Sequence, residues 1–142
     1  MSDLSLFLRK NKIGKGHVFY PATKSLCGED GKPLLWELRP LTTGDAERLR
    51  SEHTVAQPIP GRRGAYTQKM DDHYIPALVC AAVVFPDLND AALQDSYGVV
   101  TAEELLVQML DEPGEYYAFV DYVQKISGFN VPLDDEVEDA KN

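Results

Sequence analysis

The sequence is poor in the residues on which active sites are usually built. Its two cysteines, Cys27 and Cys80, are too few for a disulfide framework. Cys80 lies in an apolar run, where a free thiol behaves as a small hydrophobe, as suits a reducing compartment. The three histidines, His17, His53 and His73, are far apart, and none stands at ligand spacing from a cysteine or another histidine. No zinc pattern is present. Asp71-Asp72-His73 joins acids to an imidazole, but neighbours on a helix point in different directions, so it reads as a charged helix start. Asp87, Asn89 and Asp90 begin like a calcium loop, yet Ala92 stands where such a loop needs Gly and Gly98 where it needs Glu. Gly14-Lys15-Gly16 lacks the spacing of a phosphate loop, and no Gly-x-Ser-x-Gly elbow occurs. These absences predict no catalytic residue, no metal and no cofactor, and therefore a protein that is not an enzyme.

Long hydrophobic runs are also missing. The longest, Ile75 to Phe85, falls far short of the roughly 20 residues that span a bilayer. At the N-terminus the positive charges Arg9, Lys10 and Lys12 follow the apolar patch rather than precede it, unlike a secretory leader. Positive charge is scarce in the second half. Residues 1–64 carry 11 Lys+Arg against 7 Asp+Glu, whereas residues 65–142 carry 3 against 16, for a net charge of -9. An acidic body repels nucleic acid and anionic lipid, so neither is an expected partner. The asymmetry either serves solubility or lets the basic half of one copy meet the acidic half of another, which would give weak, salt-sensitive homo-oligomers.

What is present is a sequence of strand signals followed by helix signals. Leu4, Phe7 and Leu8 recur at helical spacing in a short N-terminal arm, residues 1–13, closed by Gly14 and Gly16. Over 14–41 two strand-like runs, His17 to Leu26 and Pro33 to Arg39, flank the turn-rich segment from Cys27 to Lys32. Leu34, Trp36 and Leu38 alternate with Leu35, Glu37 and Arg39, as in a half-buried strand of a β-hairpin. A lone hairpin is barely stable, so Trp36 is expected to pack on helices or on a third strand, with Ala65 to Met70 as a candidate.

The part from 42 to 129 reads as helical. Thr42 offers an N-cap for a helix to about His53, with Asp45 in its first turn. Thr54 to Gly64, with Pro58, Pro60 and Gly61, reads as a loop. Asp72 is the expected cap of a central buried helix running through Val84. A short helix from about Asn89 to Ser96 closes at Gly98. Thr101 and Glu104 form a capping-box pair, with Val100 and Leu105 at the positions of a hydrophobic staple, for a helix to about Leu110. Tyr116, Phe119, Val120, Val123 and Ile126 recur every three or four residues along a last helix that ends at Gly128-Phe129. The predicted fold is α+β and mainly α: residues 1–129 form a single globular domain in which the hairpin packs on a bundle of about four to five helices. Residues 130–142 form an acidic flexible tail.

From Val84 to Phe129 the chain carries, in order, Phe85-Pro86-Asp87-Leu88, Leu93-Gln94-Asp95-Ser96-Tyr97-Gly98-Val99, Ala102-Glu103-Glu104-Leu105-Leu106, Met109-Leu110, Gly114-Glu115-Tyr116 and Gly128-Phe129. This series, spread over about a third of the chain, resembles the XkdN-like family of phage and prophage tail assembly chaperones. The resemblance implies a protein of the bacterial host cytoplasm that coats the tape-measure protein and keeps it soluble. It would help tail tube protein to polymerise and then be absent from the finished particle. Chaperones of this kind are made in two lengths in several phages, by a minus-one ribosomal slip. The ending Ala140-Lys141-Asn142 can be written over a slippery A-AAA-AAC heptamer, so ribosomal frameshifting is a further expectation. Candidate protein contacts are Leu4, Phe7 and Leu8 of the arm, together with Tyr97 and Tyr117; Tyr116 and Tyr117 are neighbours and cannot both face inward. The alternative reading of so acidic a chain is a DNA mimic that blocks a nucleic-acid-binding enzyme.

Overall fold

A computed structural model of the protein describes residues 3–129. Two antiparallel β structures and five helices follow one another along the chain. Strands β1 (Val18–Pro21) and β2 (Leu35–Leu38) pair as the alternation predicts, with Tyr20 opposite Trp36 and Val18 opposite Leu38. The turn between them closes through an isolated bridge of Cys27 with Pro33. The third strand of this sheet is not Ala65 to Met70 but β5 (Val83–Phe85), which pairs antiparallel with β2 and gives the order β1-β2-β5. Ala65 to Met70 contributes instead to a separate ribbon, β3 (Thr54–Pro58) paired antiparallel with β4 (Tyr66–Met70). The segment 42–129 is therefore not purely helical: it holds three strands as well as five helices.

Local chemistry fixes the helix boundaries. Helix α1 (Thr43–Glu52) begins in a full capping box: the Thr42 hydroxyl accepts from the Asp45 N–H, and Asp45 accepts from the Thr42 N–H. Helix α2 (Tyr74–Ala82) starts one residue later than expected, at His73, without a side-chain cap. Asp71 takes that turn instead, accepting the His73 N–H. Pro76 falls at the third helical position, where a missing N–H leaves no bond unmade. The helix stops at Ala82 because Val83 and Val84, both β-branched, continue as strand against β2.

Helices α3 (Ala91–Ser96) and α5 (Pro113–Ile126) end alike. Gly98 and Gly128 adopt positive φ, and the next N–H bonds back five residues, Val99 to Gln94 and Phe129 to Gln124. That left-handed position costs glycine nothing. Helix α4 (Ala102–Met109) is capped by Thr101, whose hydroxyl accepts from the Glu104 N–H. The Glu104 carboxylate turns to that same hydroxyl rather than to the Thr101 backbone. The expected staple is not formed: Leu105 is buried, but Val100 is 81% exposed.

The inner face of the three-stranded sheet lies on α5. Trp36 meets Phe119 edge-on with ring centres 5.5 Å apart, and Tyr20 stacks on Tyr122 at 4.2 Å. Buried side chains of α2 (Leu78, Val79, Ala82), α4 (Leu105, Leu106, Met109) and α5 (Phe119, Val123) complete one cluster with Trp36 and Leu38. Burying each such aliphatic or aromatic side chain contributes about 1.5–3 kcal/mol. Two polar ties fasten sheet to helices. Glu115, in the first turn of α5, accepts from the buried Thr23 hydroxyl (2.7 Å) and the Lys24 N–H (2.9 Å), and the Leu41 N–H donates to Ser127 Oγ at the other end.

Candidate protein-interaction surface

The three-stranded sheet has a second face, which the described residues leave largely exposed. Register places Phe19, Glu37 and Phe85 in one row across the three strands, with Pro21 and Leu35 beside them. Phe19 is 61% exposed, Leu35 57% and Phe85 64%. Three large apolar side chains on one outward face are more than the scattered exposure that every soluble surface shows. The one acid among them, Glu37, is engaged by His17 Nδ1 at 2.6 Å.

The arm lies just before this sheet. Residues Leu4–Phe7 and Arg9–Asn11 form two 3-10 turns instead of an α-helix, with Asp3 accepting the Ser5 N–H and Asn11 donating to the Ser5 carbonyl. These bonds are internal to the arm. Leu4, Phe7 and Leu8 are all exposed, Phe7 at 81%, and Leu6 and Ile13 join them. Lys15 runs to the end of α5, its Nζ 3.8 Å from where a Cβ on Gly128 would stand, so a cation sits at the negative end of the helix dipole.

The two tyrosine candidates fare differently. Tyr97 is half-buried against the core. Tyr117 is 68% exposed, while its neighbour Tyr116 turns inward, and the two rings meet edge-on at 5.6 Å. Tyr117 borders a shallow groove between α4 and α5 with Val107, Asp111 and Pro113. The arm precedes the sheet in sequence, and Tyr97, at the end of α3, and Tyr117, on α5, lie on separate elements. Sequence reading missed Phe19, Leu35 and Phe85. The available signal was a strand apolar on both faces, Val18-Phe19-Tyr20, in a chain whose antiparallel hairpin buries only one.

The titratable groups serve structure. The Arg39 guanidinium, 2.8 Å from Asp45, together with the Thr42 N–H, holds that carboxyl well below its usual range. Hydrogen bonds from Thr23 and Lys24 likewise lower the Glu115 carboxyl. Asp71 and His73 are separated by their partners: Asp71 bonds His53, and His73 bonds Glu103 at 3.0 Å, which raises the His73 imidazole. Burial pushes the Cys80 thiol up to about 12, so it is not an activated nucleophile. Among the described residues no group of three or more His, Cys, Asp or Glu could hold a metal ion, and no helix is long and apolar enough to cross a membrane.

Known proteins are similar to this chain in sequence and in fold. The chain is 26% identical over 140 residues to the phage-like element PBSX protein XkdN of Bacillus subtilis (strain 168), covering 99% of this chain and 94% of that protein. It is 25% identical over 140 residues to the protein YqbN of the same strain, covering 99% and 93%. The crystal structure of YqbN superposes with a TM-score of 0.75 over 92% of this chain and 99% of that one, at 21% identity, which establishes the shared fold. The profile of the phage XkdN-like tail assembly chaperone proteins matches residues 4–141, and the chain belongs to that family.

Proposed function

We propose that the chain holds the tape-measure protein of a phage or prophage tail during assembly, in the host cytoplasm, and is displaced as tail tube protein closes around it. The observation that carries this reading is the pair of exposed apolar surfaces, the outer sheet face and the arm, beside a well-packed core. A long client with apolar helical stripes aggregates unless such surfaces cover it. Leu4, Phe7, Leu8, Phe19, Leu35 and Phe85 would make the contact, and the basic residues Arg9, Lys10 and Lys12 would orient it.

The DNA-mimic reading is less well supported. Several acids occupy local structural positions: Asp45 and Asp90 accept N–H groups at helix starts, and Glu115 ties a loop. The expected acidic tail and the Ala140-Lys141-Asn142 ending lie outside the described residues, so the frameshift expectation rests on the gene.

Co-expression tests the proposal. A tape-measure protein insoluble alone should become soluble with this chain and co-purify with it, without nucleic acid. A tape-measure protein that stays insoluble, with the chain alone in the soluble fraction, would contradict it.

A further inference from the structure

The β3–β4 ribbon packs on almost nothing. Its strands pair with each other and not with the three-stranded sheet, and from Thr54 to Met70 nearly every side chain is exposed. Five residues at about 3.3 Å each give strands on the order of 17 Å long. A two-stranded ribbon on its own is marginally stable in water. This one is fastened at its root, where the Asp71 N–H donates to the His53 carbonyl and the two side chains pair. At its tip the Arg62 N–H bonds the Ile59 carbonyl and the Ala65 N–H bonds the Arg62 carbonyl, a tight turn that carries Arg62 and Arg63 outward.

The ribbon is also the wrong charge for its body. It carries Arg62, Arg63 and Lys69 and no acid, whereas residues 71–129 carry Lys125 against 11 acids. Among the described residues every lysine or arginine ion pair lies at α1 or its cap (Arg39 and Arg48 with Asp45, Arg48 with Glu52). Among the described residues the ribbon cations have no ion-pair partner, and no acid of α3 to α5 forms an ion pair with a lysine or arginine side chain. The groove between α4 and α5 offers what an arginine would take up, the exposed Tyr117 ring and the Asp111 carboxylate, and outside its lining the exposed Asp121 stands one turn further along α5 from Tyr117.

We propose that the ribbon is a docking arm by which one copy of this chain holds a second: Arg62 and Arg63 at its tip seat in the partner copy's α4–α5 groove, a guanidinium over Tyr117 and against Asp111 and Asp121. The contact joins two different surfaces, so each added copy still presents a free ribbon or a free groove, and association runs on into short chains or closes in a ring. This stands independently of what client the protein holds.

Sedimentation velocity of the full chain, in about 0.02 M and about 0.5 M salt, tests it, because the contact is electrostatic and the screening length falls several-fold between them. Species larger than the monomer are expected at low salt and only monomer at high salt. Arg62→Glu/Arg63→Glu and Asp111→Lys/Asp121→Lys, all at exposed positions, should each abolish association while unfolding as the unmodified protein does. Mixing the two variants should restore it, since each then supplies the surface that the other has lost. A monomer at low salt overturns the proposal. So does association unchanged in the ribbon variant, or two folded variants that do not pair. Binding of a short DNA duplex by the ribbon arginines, with no second copy held, overturns it as well.

Discussion

Two antiparallel β structures of similar strand length sit in this chain, and they exist for different reasons. The three-stranded sheet is one wall of the core: Tyr20, Trp36 and Leu38 face α5, and the Glu115 and Ser127 bonds clamp both ends. The β3–β4 ribbon has no such wall. It is held by its own ladder and by the His53–Asp71 root, and its side chains face solvent on both sides. A sheet with one buried face is specified by packing, while a ribbon with none is free to be specified by a partner. Even the packed sheet follows this logic on its outer face, where Phe19 and Phe85 are more than half exposed.

The sharpest way to break that comparison is to remove the wall. Phe119→Ala deletes the ring against which Trp36 and Tyr20 rest and should destabilise the fold by about 3–5 kcal/mol in urea denaturation. A loss of less than 1 kcal/mol would mean that the sheet does not depend on α5. Next in size, Thr101→Ala should cost about 0.5–2 kcal/mol by removing the cap of α4. The exposed Val100 predicts that Val100→Ala, by contrast, changes the melting temperature little, because no staple supports that helix start.

Substitutions in the ribbon should be quieter. Val55→Thr and Tyr66→Ser should each shift stability by no more than about 0.5 kcal/mol, and ribbon amides should exchange with deuterium well before those of β2. Simultaneous exchange in both would show that the ribbon belongs to the core unit after all. The smallest effect is pH-dependent. Glu115 has a folded-state pKa below its ordinary 4.5, so its bonds to Thr23 and Lys24 contribute stability above that value, lost as pH falls through the lowered pKa. Glu115→Gln should therefore flatten the acid limb of the stability profile, whereas an unchanged limb would show that Glu115 does not tie the β1–β2 connection to α5.

How much of this could be read from residues follows the same division. Local signals were legible: the caps at Thr42 and Thr101, the glycine ends at Gly98 and Gly128, the alternation through Trp36, and the apolar stripe of α5. Non-local pairing was not. Val83-Val84-Phe85 follows an unbroken apolar helix, and only the open edge of β2 makes it strand. Thr54 to Pro58 has no apolar alternation because it has no inner face, so its prolines and the following glycines spoke for a loop. The same gap hid the outer sheet face. An exposed Phe19 and a buried one look alike until the layers are counted.

In the proposed function the outer sheet face and the arm serve a client and not the fold. The double variant Phe19→Ser/Phe85→Ser tests it most directly, measured both by thermal unfolding and by the soluble yield of co-expressed tape-measure protein. The account predicts unfolding unchanged to within about 0.5 kcal/mol and a soluble yield reduced to that of the tape-measure protein alone. A variant that folds as well as the original and keeps its client soluble would contradict it.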